Sequence, residues 1–290
     1  MNIRQVVERV ERQFLEHPDE LWVRTRLTSP VSQMDTVLSI DLDLLGPEEQ
    51  NLLTTGVLIQ VGFEQMVVTD VDGLTVTVSR GTRGTQVDEH DEGAEVLVAP
   101  PYTRDVVFQA VSDAIVAMHP PLFGFFHTQA TVGSNGITVV PTDTVQVQNG
   151  YRIADNSPIN WQDLGMWPDE DGLPVRSIRV FEQNPGDQIW LGFRTRFRLP
   201  ESPDDTLGSL GVKDEWARII VVGAAAQLIA AKPMSSAYKE YVSNQMRTEG
   251  YPVETPNRIR DAMVAYHEFL INRAAASLQQ QHPMMLNTVE

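Results

Sequence analysis

Apolar and polar positions alternate most regularly between residues 56 and 98. Val57-Leu58-Ile59-Gln60-Val61 is a β-branched run broken by Gly62, and Gln65 to Thr69 forms a second run. Leu74, Val76 and Val78 then alternate with Thr75, Thr77 and Ser79, the period of two that marks a strand with one buried face. Asp72-Gly73 between these runs is a hairpin signal. Gly81 and Gly84 stand where the chain leaves the sheet. Glu95-Val96-Leu97-Val98 returns as a last strand, stopped by Pro100-Pro101. With Trp22 to Leu27 and Thr36 to Leu44 read as two earlier strands, residues 19–101 are expected to form a small β-barrel module.

Elsewhere the period changes to that of a helix. Residues 1–18 place Ile3, Val6 or Val7, Val10 and Phe14 on one face, with Arg4, Glu8 and Arg12 on another. Thr103 reads as an N-cap with Asp105 in the first turn, and Val107, Val111, Ala114 and Met118 follow at helical spacing. Lys213 to Ala231 is apolar nearly all round. A shorter helix is expected over 235–246, and Thr255-Pro256 opens a third with Ile259, Met263, Tyr266, Leu270 and Ala274 on its apolar face. Between these helices, turn signals at Pro141-Thr142-Asp143-Thr144, Asn149-Gly150 and Asn184-Pro185-Gly186 predict a β-rich insert over 123–211, closing in a long strand from Ile189 to Leu199. Within it, Asn156 to Pro174 reads as a loop that carries Trp161 and Trp167, candidate interface residues. The expected fold class is α+β. A helical bundle core (102–122 and 212–280) carries two antiparallel β modules, the small barrel and a β-sandwich-like insert, and ends in a tail over 281–290.

Composition narrows the chemistry. The 290 residues are 42% hydrophobic and 21% charged, as in folded proteins, with a formal net charge of −17. A field of that sign repels phosphate and disfavours sequence-independent DNA binding. Arg194, Arg196 and Arg198 alternate with Phe193, Thr195 and Phe197 and read as the polar face of one strand. Without cysteine there are no disulfides or thiolate ligands. The first residues form an amphipathic helix and not a signal region. The run from Ile219 to Ala231 is too short to span ~30 Å of hydrocarbon, so a soluble chain is expected. The histidines form no ligand motif, and His267-Glu268 lacks the second histidine of a metalloprotease helix. Asp88-Glu89-His90-Asp91-Glu92 reads as a solvated acidic turn. Gly81-Thr82-Arg83-Gly84-Thr85 lacks the lysine and the following helix of a phosphate loop, and no Gly-x-Ser-x-Gly elbow is present. Neither an enzyme, a cofactor nor a metal site is expected.

One string carries a resemblance. Glu64, Met66, Arg80, Gly81, Gly84, Thr85, His90, Gly93 and Val96 form a strand-and-turn pattern that resembles a module of virion structural proteins of tailed bacteriophages. From Thr103 onward, a helix ending in His119-Pro120-Pro121 is followed by Ile189-Trp190-Leu191-Gly192-Phe193-Arg194, Leu199-Pro200 and an Ala-rich helix. That succession is similar to head–tail connector (adaptor) proteins. The resemblance implies a homo-oligomeric ring, usually a dodecamer, beneath the portal protein in the virion neck, assembled in the host cytoplasm. It also implies a C-terminal segment docked on the portal and a β-region facing a tail terminator or other neck protein. DNA would pass through without specific binding, and no membrane is involved. Arg80, Gly81, Gly84, Thr85, His90 and Gly93 carry over as fold-defining positions. Met284, Met285 and Leu286, an apolar cluster on a polar tail, are the candidate portal-docking residues. The apolar helix over 213–231 is expected to need burial by neighbouring subunits, and an acidic channel wall would let DNA slide. Two readings compete: another tail, neck or baseplate component, and a carbohydrate-binding or hydrolytic virion protein using Trp161 or an acidic residue.

Overall fold

Tight turns set the register of the first β-unit. Gly62-Phe63 joins β3 (Leu58–Val61) to β4 (Glu64–Asp72), and Gly73-Leu74 joins β4 to β5 (Thr75–Ser79). Gly62 and Gly73 both take positive φ, as two-residue hairpins require. The computed structural model describes residues 1–15, 23–142, 144–168, 174–231, 244, 247 and 259–281. It divides into two compact units: Gln5–Val111 with Val221–Val264, and Met1–Arg4 with Ser112–Ile220 and Ala265–Glu290.

In the first unit, β1 (Val23–Arg26), β2 (Val37–Ser39) and β6 (Glu95–Val98) complete an antiparallel sheet in the order β1-β6-β3-β4-β5-β2. Its edges meet just beyond the strand ends. There the Thr28 N–H donates to the Ser39 carbonyl and the Asp41 N–H to the Arg26 carbonyl, each at 2.9 Å. The sheet thus curls around Leu27, Leu38, Ile40, Ile59, Met66 and Val76. The stretch expected as one strand over 36–44 is β2 followed by a 3-10 turn, Leu42–Leu44. A one-turn helix, α2 (Pro47–Gln50), comes next; α1 (Ile3–Val10) lies at the chain start. A π-turn carries α1 on to Leu15, burying Val6, Val7, Val10, Phe14 and Leu15.

The second unit is a sandwich of two three-stranded antiparallel sheets. β7 (Gly124–Thr131), β12 (Gln188–Thr195) and β9 (Thr144–Arg152) form one, ordered β7-β12-β9. β10 (Asn160–Pro168), β11 (Pro174–Phe181) and β8 (Ile137–Val139) form the other, ordered β10-β11-β8. Alternate residues of facing strands share one core: Val147, Ile178, Val180, Ile189, Leu191 and Phe193. The chain start is stitched to this unit, with the Ile3 N–H on the Asp205 carbonyl at 2.9 Å and the Leu207 N–H on the Met1 carbonyl at 3.0 Å.

These observations correct the expected fold class. The protein is mostly β, in three antiparallel sheets, and among the described residues the helices do not form a bundle core. α3 (Arg104–Ala117), α4 (Ala217–Ala231) and α5 (Ile259–Gln281) are present and bury apolar residues of their own, but one apolar cluster fills the barrel and another the sandwich. An apolar helix reports that it is buried, not what it is buried against. α4 hides Ile219, Ile220, Val222, Ala224, Ala225 and Ile229 within a single chain, so it gives no reason to invoke neighbouring subunits. The apolar face of α5 turns gradually, from Ile259, Met263 and Tyr266 to Ile271, Ala275 and Leu278, leaving Leu270 and Ala274 only half-buried. The strand expected to reach Leu199 stops at Thr195. Residues 156–174, expected as a loop, contain β10. Trp22, the helix expected over 235–246 apart from residue 244, Thr255-Pro256 and residues 282–290 lie outside the described residues.

Candidate functional site

The string singled out in the sequence converges on one carboxylate. Glu64 opens β4 immediately after the Gly62-Phe63 turn, and its side chain has no exposure. One oxygen, Oε1, accepts from Arg80 Nε at 2.9 Å and from the Gly81 N–H at 3.2 Å. The other, Oε2, accepts from Arg80 Nη2 at 2.6 Å and the Asp88 N–H at 3.2 Å, and lies 2.8 Å from His90 Nε2. The Arg80 guanidinium, itself 5% exposed, also donates to the carbonyls of Ser32, Asp35 and Asp88. Burial alone would raise the Glu64 pKa. Hydrogen bonds from His90, Arg80 and the Asp88 backbone, with the Arg80 charge, overcome that and bring it from 4.5 to about 2.

The remaining residues of the string hold the loop that surrounds this carboxylate. The Gln65 N–H donates to Thr85 Oγ1 at 3.0 Å, Thr82 Oγ1 donates to the Gln65 carbonyl at 3.0 Å, and Thr85 Oγ1 donates to the Thr82 carbonyl at 3.0 Å. His90 exchanges backbone bonds with Val31, at 2.9 and 2.8 Å, and the Gly93 N–H bonds the Leu27 carbonyl at 2.8 Å. Gly81 has φ 61°, and a Cβ there would lie 2.9 Å from Val87 Cγ2 and 3.1 Å from the Thr85 carbonyl, so both conformation and space call for glycine. Gly84 and Gly93 occupy turns at φ 81°. Chemically the cluster is closed: every acceptor position on Glu64 faces a donor, and no open position is left for a ligand or a proton relay. It braces the loop from residue 80 to 93 against the barrel. The His90 ring points inward to Glu64, away from the acidic residues beside it. Among the described residues no group of three or more His, Asp or Glu side chains is arranged to hold a metal ion.

A second, partly buried charge network lies outside the residues singled out in the sequence. Arg104, at the start of α3, contacts Glu11 at 3.2 Å and Glu95 at 3.1 Å, and Glu95 pairs with Arg24 at 3.1 Å. Its backbone N–H donates to Gln60 Oε1 at 3.1 Å. The available signal was Glu11, an acid set beside Val7, Val10 and Phe14 on the apolar side of α1.

The two tryptophans of the expected loop do not act together. Both lie on β10, where a bulge between Asp163 and Gly165 reverses the faces of the strand. Trp161, opposite Val180, packs on the sandwich core, whereas Trp167, opposite Val175, is 41% exposed. Met284, Met285 and Leu286 lie outside the described residues. No protein-family model matches the chain, and a comparison with curated proteins finds no similar one.

Proposed function

We propose that this chain is a structural virion protein of a tailed bacteriophage, a head–tail adaptor that assembles as a ring on the portal and joins capsid to tail. The observation that carries this reading is the convergence on Glu64. Arg80, Gly81, Thr85 and His90, residues on which the resemblance rests, come from one short stretch of chain and close a brace with Glu64 and Gln65 on a separate strand. That convergence supports reading the string as one structural unit and not as scattered letters. Its sealed chemistry suits a scaffold, and the net charge of −17 suits a wall past which DNA slides. In this reading Met284, Met285 and Leu286 dock on the portal and the β-rich regions meet a tail terminator or other neck protein.

Co-expression with a tailed-phage portal protein tests the proposal. The expected outcome is a co-purifying complex that shows an added ring by electron microscopy, lost when residues 282–290 are removed. Co-purification with tail proteins but not with portal would instead favour a tail or baseplate component built on the same module. The inward packing of Trp161 removes one of the two aromatic groups on which a carbohydrate platform would have been built.

A further inference from the structure

The sandwich leaves one strand edge in a state that acidic, soluble proteins rarely leave uncovered. Edge strands are ordinarily blunted by charges, prolines, bulges or shortness, because their free N–H and C=O groups template pairing with another chain. Three of the four edges here follow that rule. β8 has three residues, β9 is bulged at two points of its ladder with β12, and β10 is bulged and ends at Pro168. β7 has none of these devices. Its sequence, Gly-Phe-Phe-His-Thr-Gln-Ala-Thr, carries no carboxylate, lysine, arginine or proline, and its ladder with β12 runs without a shift.

Hydrogen bonding sets the phase of that edge. The Val132 N–H bonds the Asp187 carbonyl at 2.9 Å, so Thr128 and Ala130 turn their backbone groups to β12 while His127, Gln129 and Thr131 turn theirs outward. These three residues are exposed. Among the described residues no strand pairs with them, and the Gln129 carbonyl receives a 3.4 Å contact from the Thr128 hydroxyl. The open stretch is therefore 127–131. A cavity of about 480 Å³ lies along it, bordered by Gln129, Thr131, Val139 and Trp167.

We propose that in the unassembled protein two copies of this chain pair through β7, antiparallel about a twofold axis at Gln129. The uncharged character of this edge is what admits a second copy. Copies that each carry −17 repel over most of their surface, and β7 is a seam where two of them meet without opposing charges. The regular edge is also self-complementary: Gln129 faces its own counterpart, and His127 faces the partner's Thr131, each through outward backbone groups. Beside the seam, Trp190 and Tyr151 lie in register with Gln129 and are 45% and 37% exposed. Pairing extends this uncharged row across both copies. The inference does not rest on the adaptor reading, and it can stand or fall whichever way the portal experiment ends.

Sedimentation of the full chain tests it, together with amide hydrogen exchange at low and high concentration. The expected result is a monomer–dimer step by about 100 μM, as suits a small interface, with His127, Gln129 and Thr131 amides slowing as dimer forms. Gln129→Lys sets two ammonium groups opposite each other and is expected to weaken the dimer at least about tenfold. Gln129→Pro removes an outward N–H while sparing the bonds to β12, and should do the same. A chain that stays monomeric, or a dimer in which those three amides exchange freely, overturns the proposal. So does a dimer that Gln129→Lys leaves intact. The exchange comparison on the unmodified chain decides the matter even if a variant fails to fold.

Discussion

Glu64 sits where water does not reach, and its charge is tolerated only because five donors surround it. Removing the carboxylate strands the Arg80 guanidinium in the same place, and an unpaired buried charge is far more costly than the pair is valuable. Glu64→Gln is therefore expected to lose about 3–5 kcal/mol of unfolding free energy by chemical denaturation. Acid should act through the same group. Its folded pKa of about 2 lies below the ordinary 4.5, so its contribution is complete above pH 4.5 and is lost as pH falls toward about 2. Stability followed by denaturant midpoint should drop across that window in the natural chain and change less in Glu64→Gln. Gly81→Ala meets both a positive φ and the nearby Val87 side chain, and should cost about 1–3 kcal/mol in the same assay. Much of this cluster could be read in the sequence as a set of positions, since arginine, glycine, threonine and histidine stand out in a strand-and-turn region. Glu64 stands in the same string, but its role as their common acceptor could not be read. Glu64 is one acid between Phe63 and Gln65, and only the closure of the sheet brings residue 64 to residues 80 and 90.

Elements were legible wherever one period dominated. β3 to β6 announce themselves by alternation and by Asp72-Gly73, and α3 by its cap and its spacing. β10 was hidden because Asn160 to Pro168 has no clean alternation and contains Asp163 and Gly165, which read as turn chemistry. Its strand character comes from pairing with β11 and from a bulge that accommodates the odd residue. The bulge makes the two tryptophans separable by experiment. Trp161→Ala should cost about 2 kcal/mol or more through lost core packing, whereas Trp167→Ala should change stability by less than about 0.5 kcal/mol, both by thermal unfolding. In α4 the small residues are fully packed, with Ala224 and Ala225 at zero exposure. Ala225→Leu is accordingly expected to destabilise by about 1–3 kcal/mol.

At the scale of the whole molecule, the sequence revealed two β-modules flanked by helices but misplaced the centre of gravity. Helical apolarity suggests a bundle, whereas the described residues are organised mostly by three antiparallel sheets, with one apolar cluster inside the barrel and another inside the sandwich. Net charge acts at this scale too. With −17 on each copy, screening should favour self-association, so the β7 dimer is expected to tighten as salt rises from about 50 mM to about 500 mM. Sedimentation at the two ionic strengths checks this. A different consequence follows from how the two cores are drawn from the chain. The barrel strands come from one uninterrupted run, 23–98, and the sandwich strands from another, 124–195. During translation the first can close before the second has left the ribosome. Neither has to wait for α4 and α5 to find its strand partners, and the order of synthesis is also a workable order of folding.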